Sequence, residues 1–372
     1  MSRSTRPEIR DRPSWFLFDW SENMSASRWK FGIATALVVL SAPIASAQDA
    51  LDADEAAALC HGGGSICMSA TIPTVTATQA VQNWMTPDVG AAWAAGYKGK
   101  GVTITIVDDF SSSSRFSGNF GVGVQYQRHG EWTRQEASMI APLATIRSKD
   151  FTTGSAVALA TGLNVLNLSY GMYAKAGYSS NQIGWAPEEA SIISYATKGS
   201  AVVSKAAGND AVAVGGVTGG QQDYLDLALI GKASAIFVGA LSTNGTTTNK
   251  AQLASYSNYA GSNPLVQSHF LVVGVTGSKT GLYGTSFAAP IISGYAAIIG
   301  SKFTKATATQ ITNDLLNTAR TDTLVNYNAA TYGKGEASLS RALAPVAIKD
   351  EQPDSGRGIL LEQVADQDEV AR

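Results

Sequence analysis

The chain has 372 residues, of which 15% are charged, with a formal net charge of −2 and a pI of about 6.0. This near-neutral balance gives no general electrostatic attraction to nucleic acid or to anionic membrane surfaces. A chain of this length can bury one large core or two ordinary ones. The composition therefore excludes a polyanion-binding protein and favours an ordinary globular protein.

The N-terminal region has the layout of a secretory signal peptide. Basic residues precede an apolar run over residues 31–40, and Ala-Ser-Ala at 45–47 supplies an Ala-x-Ala cleavage site. The run is short for a membrane span, so we expect cleavage after Ala47 and not a retained anchor. Residues 1–23 do not fit in front of such a signal, which makes Met24 a candidate start. We expect a secreted or periplasmic protein with no stable membrane association after cleavage.

The chain contains two cysteines, Cys60 and Cys67, and both follow the proposed cleavage site. In an oxidising compartment, two cysteines so close in sequence predict a small disulfide loop. A metal site is not expected there because only His61 lies nearby as a third ligand.

Apolar and β-branched runs alternate with helical patterns from residue 88 onwards. Strands are predicted over residues 102–107, 165–169, 191–195, 201–206, 235–240 and 270–275. Helices are predicted over residues 91–96, 131–140, 287–300 and 308–319. This alternation predicts an α/β fold, with a mostly parallel central sheet and helices on both faces.

The changes in composition predict four segments. These are a signal region (1–47), a leader or short pro-segment that carries both cysteines (48–87), one folded domain (88–346) and an acidic, flexible tail (347–372). No internal repeat and no second globular domain is predicted.

Four polar residues stand where such a fold collects its chemistry, at strand carboxyl ends and helix starts. Asp108 ends the first predicted strand and Asn209 follows a later one, while His129 and Ser286 precede or open helices. A serine in the first helical turn lies beside unpaired N–H groups, which suits a nucleophile that develops negative charge. The neighbouring Asp109 is an alternative carboxylate, although Asp108 fits the strand alternation better.

The order Asp, His, Asn, Ser is accompanied by several longer motifs. Residues 99–108 form a β-branched run that ends in aspartate, and His-Gly stands at 129–130. Ala-Ala-Gly-Asn stands at 206–209, and Gly-Thr-Ser-Phe-Ala-Ala-Pro at 284–290. Together with Asn-Leu-Ser-Tyr-Gly at 167–171, these motifs make residues 91–345 resemble the subtilisin-like serine proteases, the subtilases.

The resemblance implies a secreted endopeptidase with an Asp-His-Ser triad and an acyl-enzyme intermediate. Ser286 would be the nucleophile, His129 the general base and Asp108 its partner, while Asn209 would donate to the oxyanion. An extended polypeptide substrate would pair as a strand with the segment that contains Ser169 and Gly171. Ala206, Ala207 and Gly208 would line one side of the pocket for the side chain before the scissile bond. The small residues suggest room for a medium or large apolar side chain. We expect no required cofactor. The resemblance leaves calcium binding open, but the calcium sites of the family cannot be placed on individual residues.

The chain also departs from the family pattern around these motifs. Asp109-Phe110 replaces the usual Ser/Thr-Gly, Glu131-Trp132 replaces Thr-His, and Tyr283 replaces the common serine. These changes keep two alternatives open. One is a catalytically inactive subtilase fold used as a binding or surface protein. The other is a sedolisin-like acid peptidase with a glutamate base, against which the His-Gly motif argues.

Overall fold

The structure is a computed structural model that describes residues 80–179 and 182–345. The predicted signal peptide, Cys60, Cys67 and the acidic tail lie outside the described residues. Within the described ranges, no helix is long and apolar enough to cross a membrane.

The described residues form eleven strands and ten α-helices, and the last five helices follow the last strand. The strands are β1 (Val102–Asp108), β2 (Phe116–Gly118), β3 (Gln125–Gln127), β4 (Thr145–Asp150), β5 (Leu163–Leu168), β6 (Tyr173–Lys175), β7 (Val202–Ala206), β8 (Val217–Thr218), β9 (Gln221–Asp223), β10 (Ala235–Leu241) and β11 (Phe270–Gly274). The helices are α1 (Pro87–Ala94), α2 (His129–Ile140), α3 (Pro187–Lys198), α4 (Tyr224–Leu229), α5 (Pro264–Gln267), α6 (Gly277–Thr280), α7 (Ala289–Lys302), α8 (Ala308–Asn317), α9 (Ala329–Tyr332) and α10 (Leu339–Ala342).

Six strands form one parallel sheet in the order β11-β10-β7-β5-β1-β4. The predicted parallel α/β fold is therefore confirmed. Because all six strands run the same way, their carboxyl ends meet at one edge. Leu168 of β5 lies opposite Lys205 of β7 in this register. The antiparallel pair β2–β3 and the three-stranded antiparallel sheet β6–β9–β8 are separate from the main sheet.

Two apolar layers enclose the sheet. On one face, Ile104 and Ile106 of β1 belong to a buried cluster that includes residues of α2, α7 and α8. On the other face, Val107 belongs to a cluster with residues of α3, α4 and β10. Helix α7 is buried from Ala289 through Gly300, as expected of a helix that is apolar all round. The site described below is built on its N-terminal end.

Three sequence predictions are corrected by the structure. Residues 191–195, predicted as a strand, lie inside helix α3. The polar edge strand β4 and the short strands β2 and β3 were missed. Part of the predicted leader is also core, because Trp84 and Met85 are buried and the Trp84 indole donates to the Phe120 carbonyl at 2.9 Å.

Candidate active site

A short hydrogen bond joins Asp108 to His129 at the carboxyl edge of the sheet. His129 Nδ1 lies 2.6 Å from Asp108 Oδ1. Asp108 is the last residue of β1 and His129 the first of α2, so two regular elements fix the pair. Since a carboxylate can only accept, the imidazole donates from Nδ1, which leaves Nε2 free to accept a proton.

The Asp108 carboxylate is buried and receives further donors. The Asp109 N–H donates to Oδ1 at 2.7 Å, and the Thr133 hydroxyl donates to Oδ2 at 2.9 Å. Asp109, the alternative carboxylate, instead accepts from the N–H groups of Ser111 and Ser112 and forms the following turn. The geometry thus pairs His129 with Asp108.

The His129 ring lies between Phe116 of β2 and Phe287 of the helical turn that carries Ser286. Its ring centroid lies 6.2 Å from that of Phe116 and 6.0 Å from that of Phe287. Gly130 allows the close approach to β1, because a Cβ there would lie 2.6 Å from the Asp109 carbonyl oxygen. Burial lowers the pKa of the imidazole, but the charge and hydrogen bond of Asp108 outweigh it, so the pKa lies above its ordinary value of 6.5.

Ser286 lies in a 3-10 turn, Thr285–Phe287, that leads directly into α7. Its side chain is partly exposed, and Oγ donates to the Ser169 carbonyl at 3.3 Å. The Ser169 hydroxyl in turn donates to the Ser286 carbonyl at 2.9 Å. The two hydrogen bonds hold the serine against the end of β5, and its own N–H lies in the first helical turn, where an N–H has no carbonyl partner within the helix.

The Asn209 side chain is hydrogen-bonded to the serine turn through one end of its amide. Its Oδ1 accepts from the Thr285 N–H at 2.8 Å and from the Thr285 hydroxyl at 3.1 Å. Because the backbone N–H can only donate, this atom must be the amide oxygen. The Nδ2 group is therefore the end left for another partner, and the residue is solvent-exposed.

The predicted substrate-binding residues continue two adjacent strands. Ser169 and Gly171 follow β5, while Ala206 ends β7 and is followed by Ala207 and Gly208. Pairing between these strands stops at Leu168 and Lys205. Beyond that point, Ser169–Gly171 and Ala206–Gly208 are the two segments expected to bind substrate, and they are called here the two walls of the proposed cleft. The Gly208 N–H donates to Thr285 Oγ1 at 3.0 Å, which ties the second wall to the serine turn. All the predicted site residues within the described chain thus lie at one edge of the sheet.

Three supporting residues were not identified from the sequence. The Thr133 hydroxyl donates to Asp108, and the Thr285 hydroxyl donates to Asn209. Asn258 accepts from the N–H groups of Asp210 and Val212 and so holds the loop that follows Asn209. Only Thr133 carried a local signal, since it lies four positions after His129 on one helix face. The others are distant in sequence from their partners.

The unusual flanks of the histidine motif have structural partners. Glu131 accepts from the Arg128 N–H at 2.8 Å and so caps α2. Trp132 is fully buried, and its indole donates to the Phe116 carbonyl at 3.1 Å. The departures from the family pattern therefore build the helix start and the β2–β3 hairpin around His129.

Among the described residues, no three His, Cys, Asp or Glu side chains converge as metal ligands would.

Ser286 at a helix start and the Asp108–His129 pair both lie at the carboxyl edge of the parallel sheet, where α/β proteins collect their functional residues. The model of the subtilase family, Peptidase S8, matches residues 121–335. This is more than half of the 372 residues, and the chain belongs to the subtilase family of serine peptidases. The matched range contains His129, Asn209 and Ser286 and begins after Asp108.

Comparison with solved structures finds similar chains at low sequence identity. The prenylagaramide maturation protease PagA is 18% identical, with a TM-score of 0.45, covering 69% of this chain and 98% of that one. A cold adapted subtilisin-like serine proteinase is 18% identical, with a TM-score of 0.40 and coverages of 65% and 88%. MycP1 from the ESX-1 type VII secretion system is 16% identical, with a TM-score of 0.46 and coverages of 71% and 86%. No curated protein matches the chain significantly.

Proposed function

We propose that this protein is a secreted serine endopeptidase that cleaves polypeptides through an acyl-enzyme intermediate. The observation that carries the proposal is the 2.6 Å contact between His129 Nδ1 and Asp108 Oδ1, beside the turn that holds Ser286. A serine hydroxyl needs a base that titrates near neutral pH, and histidine is the side chain that does so unaided.

In the proposed reaction, a rotation about χ1 of Ser286 brings Oγ from the Ser169 carbonyl to His129 Nε2. Oγ attacks the scissile carbonyl while Nε2 takes its proton, and Asp108 stabilises the resulting imidazolium. The carbon–nitrogen bond then breaks as His129 returns the proton to the leaving amine. Water, activated by the same base, hydrolyses the acyl-enzyme and releases the second product.

The tetrahedral intermediates of this reaction carry a negative oxygen that needs fixed donors. We assign these to Asn209 Nδ2 and to the backbone N–H of Ser286. The support is geometric: Thr285 fixes the amide oxygen of Asn209 and leaves only its N–H group for another partner. Donors set in place before the reaction stabilise the developing charge without reorganisation.

The substrate is proposed to bind as an extended strand along Ser169–Gly171. These residues follow β5 and belong to no ladder, so their backbone is available for strand addition. Backbone pairing recognises polypeptides in general, and the opposite wall, Ala206–Gly208, would contact the side chain before the scissile bond. The proposed partners are polypeptides.

Fluorophosphonate labelling of the secreted, folded protein near neutral pH tests the proposal. We expect one adduct on Ser286 by peptide mass spectrometry, and none in Ser286→Ala or His129→Ala. An acid peptidase would react or cleave only at acid pH, and its base would be a glutamate where this chain has His129. Folded wild-type protein that forms no adduct would establish the inactive alternative and refute the proposal.

Secretion is proposed from the sequence at residues 31–47 and needs its own test. Edman sequencing of protein from the culture medium or periplasm should begin at Gln48. A mature N-terminus before that residue would show that the predicted cleavage site is not used.

A further inference from the structure

A lysine is buried in the middle of the sheet, directly below the proposed cleft. Lys205 of β7 is 2% exposed. Its Nζ donates to Asp223 Oδ2 at 3.2 Å and to the Ala206 carbonyl at 2.7 Å, and lies 3.0 Å from Asp226 Oδ1. Burying an ammonium in a central strand costs free energy, which pairing and hydrogen bonds offset. A buried ion pair is therefore weak evidence of stabilisation and suggests a positional role for this cluster.

The cluster holds one ammonium and two carboxyl groups. Burial lowers the pKa of Lys205, but the charges of Asp223 and Asp226 outweigh it and raise the pKa. Burial and the charge of Asp223 raise the pKa of Asp226. Lys205 and Asp223 form the hydrogen-bonded ion pair of the cluster, and the Asp226 carboxyl lies beside the ammonium.

The ion pair links the two walls of the cleft. Lys205 donates to the carbonyl of Ala206, the first residue of one wall. Asp223 Oδ1 accepts from the Met172 N–H at 2.9 Å, immediately after Gly171 at the end of the other wall. Because β5 and β7 stop pairing at Leu168 and Lys205, no ladder hydrogen bond holds the walls together beyond that point.

The contact between Asp223 and the first wall is close. A Cβ added at Gly171 would lie 2.5 Å from Asp223 Oδ2 and 2.6 Å from the Tyr173 ring. Asp223 also caps α4 by accepting from the N–H groups of Leu225 and Asp226. The Asp223 carboxylate is thus held by helix α4 and lies in close contact with the backbone of Gly171. It therefore limits how closely this wall can approach β7.

We propose that Lys205 and Asp223 are positioning residues that fix the separation of the two cleft walls. They thereby set the shape of the pocket for the side chain before the scissile bond. This inference rests on the proposed function of the cleft. Neither residue contacts the reacting atoms, and both act through the backbone of Ala206 and Met172.

The test compares Lys205→Met/Asp226→Asn with the matched control Asp226→Asn. The double variant removes the ammonium and one of the two carboxylate groups, while Asp223 Oδ1 keeps its three backbone N–H donors. The control removes one carboxylate but keeps both wall contacts of Lys205 and Asp223. Circular dichroism and thermal unfolding establish that each variant folds.

The main readout is the Kd, by calorimetry, of peptide acids that differ only in a C-terminal Phe, Leu, Lys or Ala. The wild type and the control are expected to discriminate the preferred residue from the least preferred by tens of fold. In the double variant this ratio should fall to less than about threefold, because the pocket is no longer held to one width. An unchanged ratio in the folded double variant would overturn the inference.

Fluorophosphonate labelling separates this inference from the proposed function. A small probe needs the activated serine but not the pocket, so its labelling rate should stay within about threefold in the double variant. Labelling that falls in proportion to peptide affinity would show a general distortion and overturn the positioning role. If the wild-type protein binds peptides selectively but forms no fluorophosphonate adduct, the proposed catalysis is refuted. The Kd ratios of the variants would still decide whether Lys205 and Asp223 position the cleft walls.

Discussion

Asn209 has two functions in the proposed mechanism, and substitutions can separate them. Its Oδ1 holds the serine turn through Thr285, and its Nδ2 is assigned to the oxyanion. Asn209→Ala removes both ends of the amide. Asn209→Asp keeps an oxygen for Thr285 but places a negatively charged acceptor where the donor was.

The expected magnitudes follow from these contacts. Asn209→Ala should lower kcat by about 10² to 10³, the range known for the corresponding subtilisin substitution, with little change in KM. Losing two hydrogen bonds to Thr285 should also lower the free energy of unfolding by about 1–2 kcal/mol. Asn209→Asp should retain the unfolding free energy but lower kcat by more than the alanine variant, because like charges face each other in the transition state.

Initial rates on a peptide amide give kcat and KM, and urea unfolding gives the free energy of unfolding. The decisive comparison is between the two variants. If Asn209→Asp kept kcat within tenfold of the wild type, Nδ2 would not be the oxyanion donor. If Asn209→Ala raised only KM, the side chain would bind substrate without stabilising the transition state.

Three further predictions concern the triad and a buried glutamate. Ser286→Ala should lower kcat by about 10⁶, as in subtilisin, measured on a peptide amide; a variant with near-wild-type turnover would exclude this nucleophile. Because the pKa of His129 is raised, kcat/KM should rise with pH and reach half its maximum above pH 6.5. Asp108→Asn should lower kcat by about 10⁴ and shift that midpoint downwards, and an unshifted midpoint would show that Asp108 does not set the pKa. Burial raises the pKa of Glu188 from 4.5 to about 7, although Lys149 opposes the shift. The folded state therefore holds this proton more tightly than the unfolded chain, and stability falls as pH rises through that window. Glu188→Gln should flatten the difference between unfolding free energies at pH 5 and pH 8, and an unchanged difference would assign the pH dependence to other groups.

The buried strands were predictable because their local sequence is sufficient. Strands β1, β5, β7, β10 and β11 are apolar or β-branched runs, and such runs favour an extended, enclosed conformation whatever surrounds them. The helix that follows Ser286 was likewise evident from its unbroken run of small and apolar residues.

Two element assignments needed information that the apolar pattern did not carry. Residues 191–195 suit a strand by themselves, but Pro187 at the helix start and Gly199 at its end, with φ 65°, favour the helix α3 that forms. Strand β4 is largely exposed and polar, and it exists because the edge of β1 pairs with it from Thr103 to Asp108. Only a partner distant in sequence decides such a strand.

The sequence by itself determined the fold class and the order of the four residues proposed for catalysis, because each stands at the end of an element defined by local pattern. Tertiary structure decided which atoms meet. It paired His129 with Asp108 and not with Asp109, turned Asn209 by means of Thr285, and placed Lys205 beside Asp223. These contacts join segments that different strands and helices carry to one edge of the sheet. Hydrogen-bond geometry at that edge depends on distances of a few tenths of an ångström, which residue order cannot specify.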